Sequence, residues 1–188
     1  NNQDFQFMRS KCADLAGIDV KMLRVSFTGD LGWEVHCNTA DQKALYTALL
    51  ETGKEFGVGP VGSRALMAMR VEKGYGSWSR EYSPEYWPHE QGMDRLCKMD
   101  KDFLKKAALQ AVLAQEPREQ MVLLHLNEAA VTASNADATG GEPVFKDGNG
   151  VGRVTSGAYG YSVGLSLALA MVKDVGPGDE VEVMVLGQ

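Results

Sequence analysis

From Leu23 the order Leu-Arg-Val-Ser-Phe alternates apolar and polar residues as far as Phe27, the period of a strand with one covered face. A glycine turn over 28–32 leads into 33–37, where the alternation resumes, so the stretch predicts strand, turn and strand. Asn38-Thr39 followed by Gln42 has the form of a capping box, in which hydroxyl and amide satisfy each other's free backbone N–H groups. It predicts a helix over 40–56, with Ala44, Leu45, Ala48 and Leu49 at helical spacing and Gly57 and Gly59 as stops. A second helix is expected from Ser63, carrying Leu66, Met67, Met69 and Arg70 on its first turns.

Beyond Gly74 the periodicity stops. Residues 75–91 hold Trp78, Tyr82, Pro84, Tyr86, Trp87 and Pro88 and read as a long aromatic loop, a feature more often functional than decorative. Asp102 is placed to cap a last helix over 103–114, and the polar run 116–119 punctuates the chain. Short β segments follow at 121–126, 142–145, 151–156, 165–172 and 180–185, with turns at Asp147-Gly148-Asn149-Gly150 and Pro177-Gly178-Asp179. The pattern predicts an α+β portion over 1–117 and a small antiparallel β-barrel over 118–188.

Composition narrows the function classes. The chain has 188 residues, 44% of them hydrophobic, and 19 basic against 25 acidic residues give a net charge of −6. With no basic run longer than Lys105-Lys106, no footprint for nucleic acid or an anionic membrane is visible. Cys12, Cys37 and Cys97 are odd in number and widely spaced, which argues against a disulfide framework or a cysteine zinc site. No stretch reaches the length of a membrane span, and the polar start Asn1-Asn2-Gln3-Asp4 is no signal peptide. A cytoplasmic or mitochondrial-matrix location is expected. The start without an initiator Met also suggests a piece of a longer protein.

Three motif matches fail on context. Gly57-Val58-Gly59-Pro60-Val61-Gly62 follows a helix rather than a strand, and Pro60 removes a donor where a phosphate would need one. Gly160-Tyr161-Ser162-Val163-Gly164 has no histidine after it, so the serine-hydrolase order is missing. Asp147-Gly148-Asn149-Gly150 begins like a calcium loop but reaches Ala158 where a bidentate Glu is required. His36, His89 and His125 show no metal-ligand spacing, and no metal is expected.

Phe27-Thr28-Gly29-Asp30-Leu31-Gly32-Trp33-Glu34 is different in kind. A carboxylate beside two glycines and a Trp, at a strand entrance, can accept two N–H groups side by side from the edge of a pterin or guanine. By chemistry alone a solvent-facing edge-strand Glu is the commoner reading.

The surrounding residues change the weighting. Residues 24–34, Arg-Val-Ser-Phe-Thr-Gly-Asp-Leu-Gly-Trp-Glu, resemble the R-x-S-Y-x-G-E-x-G-[FW]-E segment of the folate-binding aminomethyltransferase family, the glycine cleavage T-protein and its relatives. Met69-Arg70-Val71-Glu72-Lys73-Gly74-Tyr75 with Trp78 is similar to the L-R-x-E-K-G-Y-x-x-W stretch of one branch, the C-terminal folate module of dimethylglycine and sarcosine dehydrogenases and oxidases. Pro88-His89-Glu90-Gln91-Gly92-Met93, Asp102-Phe103-Leu104-Lys105-Lys106-Ala107-Ala108-Leu109 and Val151-Gly152-Arg153-Val154-Thr155-Ser156-Gly157 continue the resemblance in order to the end of the chain.

The resemblance implies a module that binds tetrahydrofolate and captures, as 5,10-methylenetetrahydrofolate, a one-carbon unit from a small N-methyl amine. It implies cofactor-binding roles for Glu34, Phe27, Trp33, Tyr75 and Trp78, with Glu34 holding the pterin. Phe27 stands where the family usually has Tyr, and Leu66 where the T-protein branch has an Arg for the folate tail. The family's catalytic Asp lies farther upstream than the 26 residues preceding Phe27, so it is expected outside this chain. FAD is expected only in a missing or separate flavin dehydrogenase part. A non-catalytic folate binder on the same fold, and a demethylase of a sulfonium substrate, are the alternatives.

Overall fold

The computed structural model describes residues 3–127 and 137–187. The chain divides into two compact units, 1–66 and 67–188, the division falling inside the helix α2 (Ser63–Glu72).

In the first unit β1 (Ser10–Leu15) and β2 (Ile18–Leu23) form an antiparallel hairpin with Leu15 opposite Ile18. Ala16 and Gly17 close it, both at positive φ (54° and 78°), and the Gly17 N–H donates to Asp14 Oδ1 at 3.0 Å. Two successive left-handed residues match the right-handed twist of the flanking strands. β3 (Glu34–His36) pairs with β2, placing Glu34 opposite Leu23 and completing the order β1-β2-β3.

The strand expected over 23–27 therefore ends where it was expected to begin. Arg24 still bonds on the β1 side: its N–H donates to Arg9 O and its carbonyl accepts from Met8 N, both at 2.9 Å, and its guanidinium donates to Phe5 O. On the other side pairing with β3 starts only at Leu23, so residues 24–33 form the connection between the strands. Phe27 lies on that connection rather than in a strand.

α1 (Gln42–Gly53) is preceded by a 3-10 turn (Thr39–Asp41) and followed by another (Lys54–Phe56), and Gly57 at φ 70° ends the run. The helix is as expected, but the capping box does not form. Thr39 itself enters the 3-10 turn, Asp41 becomes the cap position of α1, and no side-chain cap bond is made. Leu45 is the buried apolar side chain of α1.

In the second unit α3 (Lys106–Leu113) begins later than expected, because Lys105 at φ 67° turns the chain just before it and leaves Asp102 too far upstream to cap. Five antiparallel strands follow, β4 (Gln120–Leu126), β5 (Pro143–Lys146), β6 (Asn149–Gly160), β7 (Leu165–Val172) and β8 (Glu182–Val183), in the order β4-β7-β6-β5-β8. Val144, Val154, Ala168, Ala170 and Val172 form the core. Val122, Leu124 and Leu126 of one edge strand and Val183 of the other pack on that same core, so the sheet curls around it as the small barrel predicts.

Asp147 and Gly148, at φ 51° and 74°, close the β5–β6 hairpin between Lys146 and Asn149, as the turn reading of this segment requires. Along β6 the backbones approach so closely that a Cβ on Gly152 would fall 2.0 Å from Met171 O. The register then slips: Val154 faces Ala170 and Ser156 faces Leu169, leaving Thr155 as the extra residue of a β-bulge.

Candidate functional site

In the first unit the connection 24–33 carries Phe27 and Trp33, both more than a third exposed, and delivers Glu34 as the first residue of β3. The Glu34 side chain is 60% exposed. Its carboxylate lies 3.4 Å from Nε2 of His36, the next residue on the same face of the strand. At that distance, and with that exposure, the acceptor capacity of Glu34 is largely unspent. His36 is a neighbour that sequence reasoning weighed only for metal-ligand spacing.

Tyr75 and Trp78 belong to the second unit, on the loop after α2. Tyr75 is tied by its backbone, its N–H donating to Arg70 O at 3.0 Å and its carbonyl accepting from Arg70 Nη1 at 3.0 Å, while its side chain is 43% exposed. Trp78 is 80% exposed and forms an isolated bridge with Tyr82. The five residues expected to bind cofactor thus fall as two on the 24–33 connection, one at the head of β3 and two on the loop after α2.

Beneath that loop is a fully buried polar network. Arg70 and Glu81 are both at 0% exposure, with Arg70 Nη1 3.1 Å from Glu81 Oε2. Ser156, brought round by the bulge, donates to Glu81 Oε1 at 2.5 Å and accepts from Arg70 Nη2 at 2.6 Å, and the Ser77 N–H reaches Glu81 Oε2 at 2.8 Å. Burial pushes the Glu81 carboxyl up, but the bonds from Ser156, Thr155 and the Ser77 N–H, with the Arg70 charge, outweigh it and hold it below its ordinary value. Burial lowers Arg70 in turn, against the pull of Glu81. Arg70 is spent inside the fold and does not replace the Arg missing at Leu66.

A second clamp fixes the far end of the loop. Glu90 Oε1 accepts from the N–H and Nε of Arg118 at 2.9 and 2.8 Å, and Oε2 accepts from Arg118 Nη2 and from the Trp87 N–H, both at 2.7 Å. The Arg118 side-chain bonds, against a burial cost, bring the Glu90 carboxyl down to about 2. Arg118 also lies over the Trp87 ring, 4.3 Å from its centroid, and His89 stacks on the same ring at 5.7 Å. Gln91 donates to the Ser83 and Tyr86 carbonyls at 2.8 and 3.2 Å. The Pro88–Met93 motif is therefore a structural clasp.

Between the two clamps an open cleft of about 380 Å³ is lined by Trp78, Arg80, Ser83, Glu85, Arg153 and Thr155, among others. Sequence reasoning missed it. Arg80 and Arg153 stand far apart in the chain, and the bulge at Thr155, whose carbonyl Arg80 approaches, leaves no mark in hydrophobic periodicity. Among the described residues no group of three or more His, Cys, Asp or Glu could hold a metal ion, and no helix is long and apolar enough to cross a membrane.

Comparison with known proteins agrees with this architecture. Residues 1–101 match the GCVT N-terminal domain and residues 120–188 the glycine cleavage T-protein C-terminal barrel domain. The chain is 35% identical over 190 residues to mouse mitochondrial dimethylglycine dehydrogenase, covering 98% of this chain and 21% of that protein. It is 29% identical to mouse mitochondrial sarcosine dehydrogenase, covering 95% and 19%, and 31% identical to an aminomethyltransferase of Symbiobacterium thermophilum, covering 97% and 48%. The chain thus spans about a fifth of the dehydrogenases and about half of the aminomethyltransferase. The crystal structure of glycine cleavage system aminomethyltransferase T from Bartonella henselae has the same fold, with a TM-score of 0.79 at 22% identity over all of this chain and 51% of that one. With both domain models matched in order across nearly its whole length, the chain belongs to the glycine cleavage T-protein family.

Proposed function

We propose that this chain is the tetrahydrofolate-binding part of an aminomethyltransferase-like enzyme that takes a one-carbon unit from a small N-methyl amine and forms 5,10-methylenetetrahydrofolate. The observation that carries the reading is Glu34: an exposed carboxylate at the head of β3, reached by a connection that carries two half-exposed aromatic rings. These residues fit a pterin. A carboxylate offers two acceptors side by side to its N–H edge, and Phe27 and Trp33 offer apolar faces to its ring. Bound tetrahydrofolate would supply the two nitrogens between which the carbon is held. This chain's part is to bind and orient; the carboxylate that moves protons is assigned to a longer protein, as is any flavin dehydrogenase part carrying FAD. We place the boundary between the two modules at residue 117. A mitochondrial-matrix or cytoplasmic location suits this reading, since the dehydrogenase relatives are named as mitochondrial.

The departures at Phe27 and Leu66 favour a second reading, a folate binder that transfers no carbon. Two measurements separate them. Titration calorimetry of the chain with tetrahydrofolate reports binding, and Phe27→Tyr is expected to tighten it a few-fold by restoring a hydroxyl. Assay of the longer protein with dimethylglycine and tetrahydrofolate reports transfer. Binding with 5,10-methylenetetrahydrofolate formed supports the enzyme; binding without it supports the second reading; absence of binding defeats both.

A further inference from the structure

The cleft of the second unit brings together Arg80, Glu85 and Arg153, to which the folate reading gives no role, with Trp78. Its floor comes from β6: Arg153 and Thr155, two positions apart, both line it, and the bulge at Thr155 turns that residue's carbonyl toward Arg80. Arg80 Nη1 rests near the Thr155 and Thr139 carbonyls at 3.3 and 3.4 Å, long for such bonds. Arg153 Nη2 donates to Tyr86 Oη at 2.6 Å, with its guanidinium 6.0 Å from that ring's centroid. Among the described residues, neither guanidinium is held in an ion pair. Arg153 reaches the Glu119 carboxylate only through Tyr86, to which Glu119 is hydrogen-bonded, whereas Arg70 and Arg118 each hold a carboxylate directly.

The remaining lining selects among anions. Glu85 adds one negative charge, which opposes a phosphate or a dicarboxylate and favours a ligand bearing its own cation. Trp78 is 80% exposed at the cleft, an apolar, electron-rich face of the kind that attracts ammonium groups. The Ser83 hydroxyl supplies a neutral donor or acceptor. Two guanidiniums, one carboxylate and one indole in a single small cleft are the complement of an α-amino acid zwitterion.

We propose that this cleft binds a small amino acid, its carboxylate on Arg80 and Arg153 and its ammonium on Glu85 and the Trp78 face. The proposal goes beyond the folate reading: its residues all belong to the second unit, and of the five residues expected to bind cofactor it shares Trp78 alone, so the test is made without folate.

The test is NMR titration of the folate-free chain, following the Trp78 indole N–H, with that signal assigned by Trp78→Phe. Glycine is the probe, and acetate and methylammonium are its two halves. Glycine is expected to shift the Trp78 signal with an affinity at least about tenfold above either half. Arg153→Ala should weaken both glycine and acetate about tenfold. Glu85→Gln, which touches no structural bond of the Glu85 backbone, should weaken glycine about tenfold and leave acetate unchanged or tighter. An unmoved Trp78 signal, acetate binding as tightly as glycine, or glycine binding indifferent to Glu85→Gln overturns the proposal.

Discussion

The loop of the second unit and the head of β3 in the first both present glutamate within motifs of one family, and they use it in opposite ways. Glu81 and Glu90 lie at 0–1% exposure, each with an arginine, backbone N–H groups and, for Glu81, a serine hydroxyl. Glu34 is 60% exposed and, among the described residues, has only the long approach of His36. A buried carboxylate must be paired because desolvating it alone is costly, so its partners are chosen by the fold. An exposed carboxylate on a strand owes the fold little and remains available to a ligand. Motif residues of one family therefore divide by burial into clasps such as Glu81 and Glu90 and exposed residues such as Glu34, which the proposed function makes a contact.

That division can be broken most sharply at Arg70. Arg70→Ala leaves the Glu81 charge buried without its guanidinium and should cost about 3–5 kcal/mol, measured by urea unfolding. Replacing both partners, Arg70→Met with Glu81→Leu, should cost much less. An Arg70→Ala variant as stable as the parent would mean that the network is not holding the loop.

Glu90 gives a pH signature. Its carboxyl titrates near 2 in the folded chain against an ordinary 4.5. The folded pKa is depressed, so the stabilisation is complete above about pH 4.5 and is lost as pH falls toward 2. It is of order 3 kcal/mol at neutral pH. Glu90→Gln should flatten the stability profile between those limits, read from unfolding midpoints across pH. At the small end, Thr39→Ala should change stability by less than about 0.5 kcal/mol, because the capping box it would belong to is not formed.

Much of this was legible in the sequence, for reasons that differ by element. The apolar run of β7 and the glycine turn before β6 carry their own signal, since a strand covered on both faces has no polar period to hide it. Helices α1 and α2 show in the spacing of small and apolar residues. β1 does not: Ser10-Lys11-Cys12-Ala13-Asp14-Leu15 is mostly exposed and carries little apolar alternation. Its pairing with β2 also decides where the 23–27 strand must stop. The place of Glu34 at a strand entrance was legible because its motif is local. The Arg70–Glu81–Ser156 network and the cleft beside it were not, because they depend on a one-residue bulge at Thr155 and on partners remote in the chain.

We propose Glu34 as a contact and not a clasp, and Glu34→Gln tests this in one calorimetric titration with tetrahydrofolate, with unfolding of the same sample as the control. Stability should move by less than about 0.5 kcal/mol, as for a surface substitution. Affinity should fall about tenfold to a few hundredfold, because the amide accepts one of the two pterin N–H groups and sets a donor against the other. Unchanged affinity in a folded variant would contradict the account and return Glu34 to an ordinary edge-strand carboxylate.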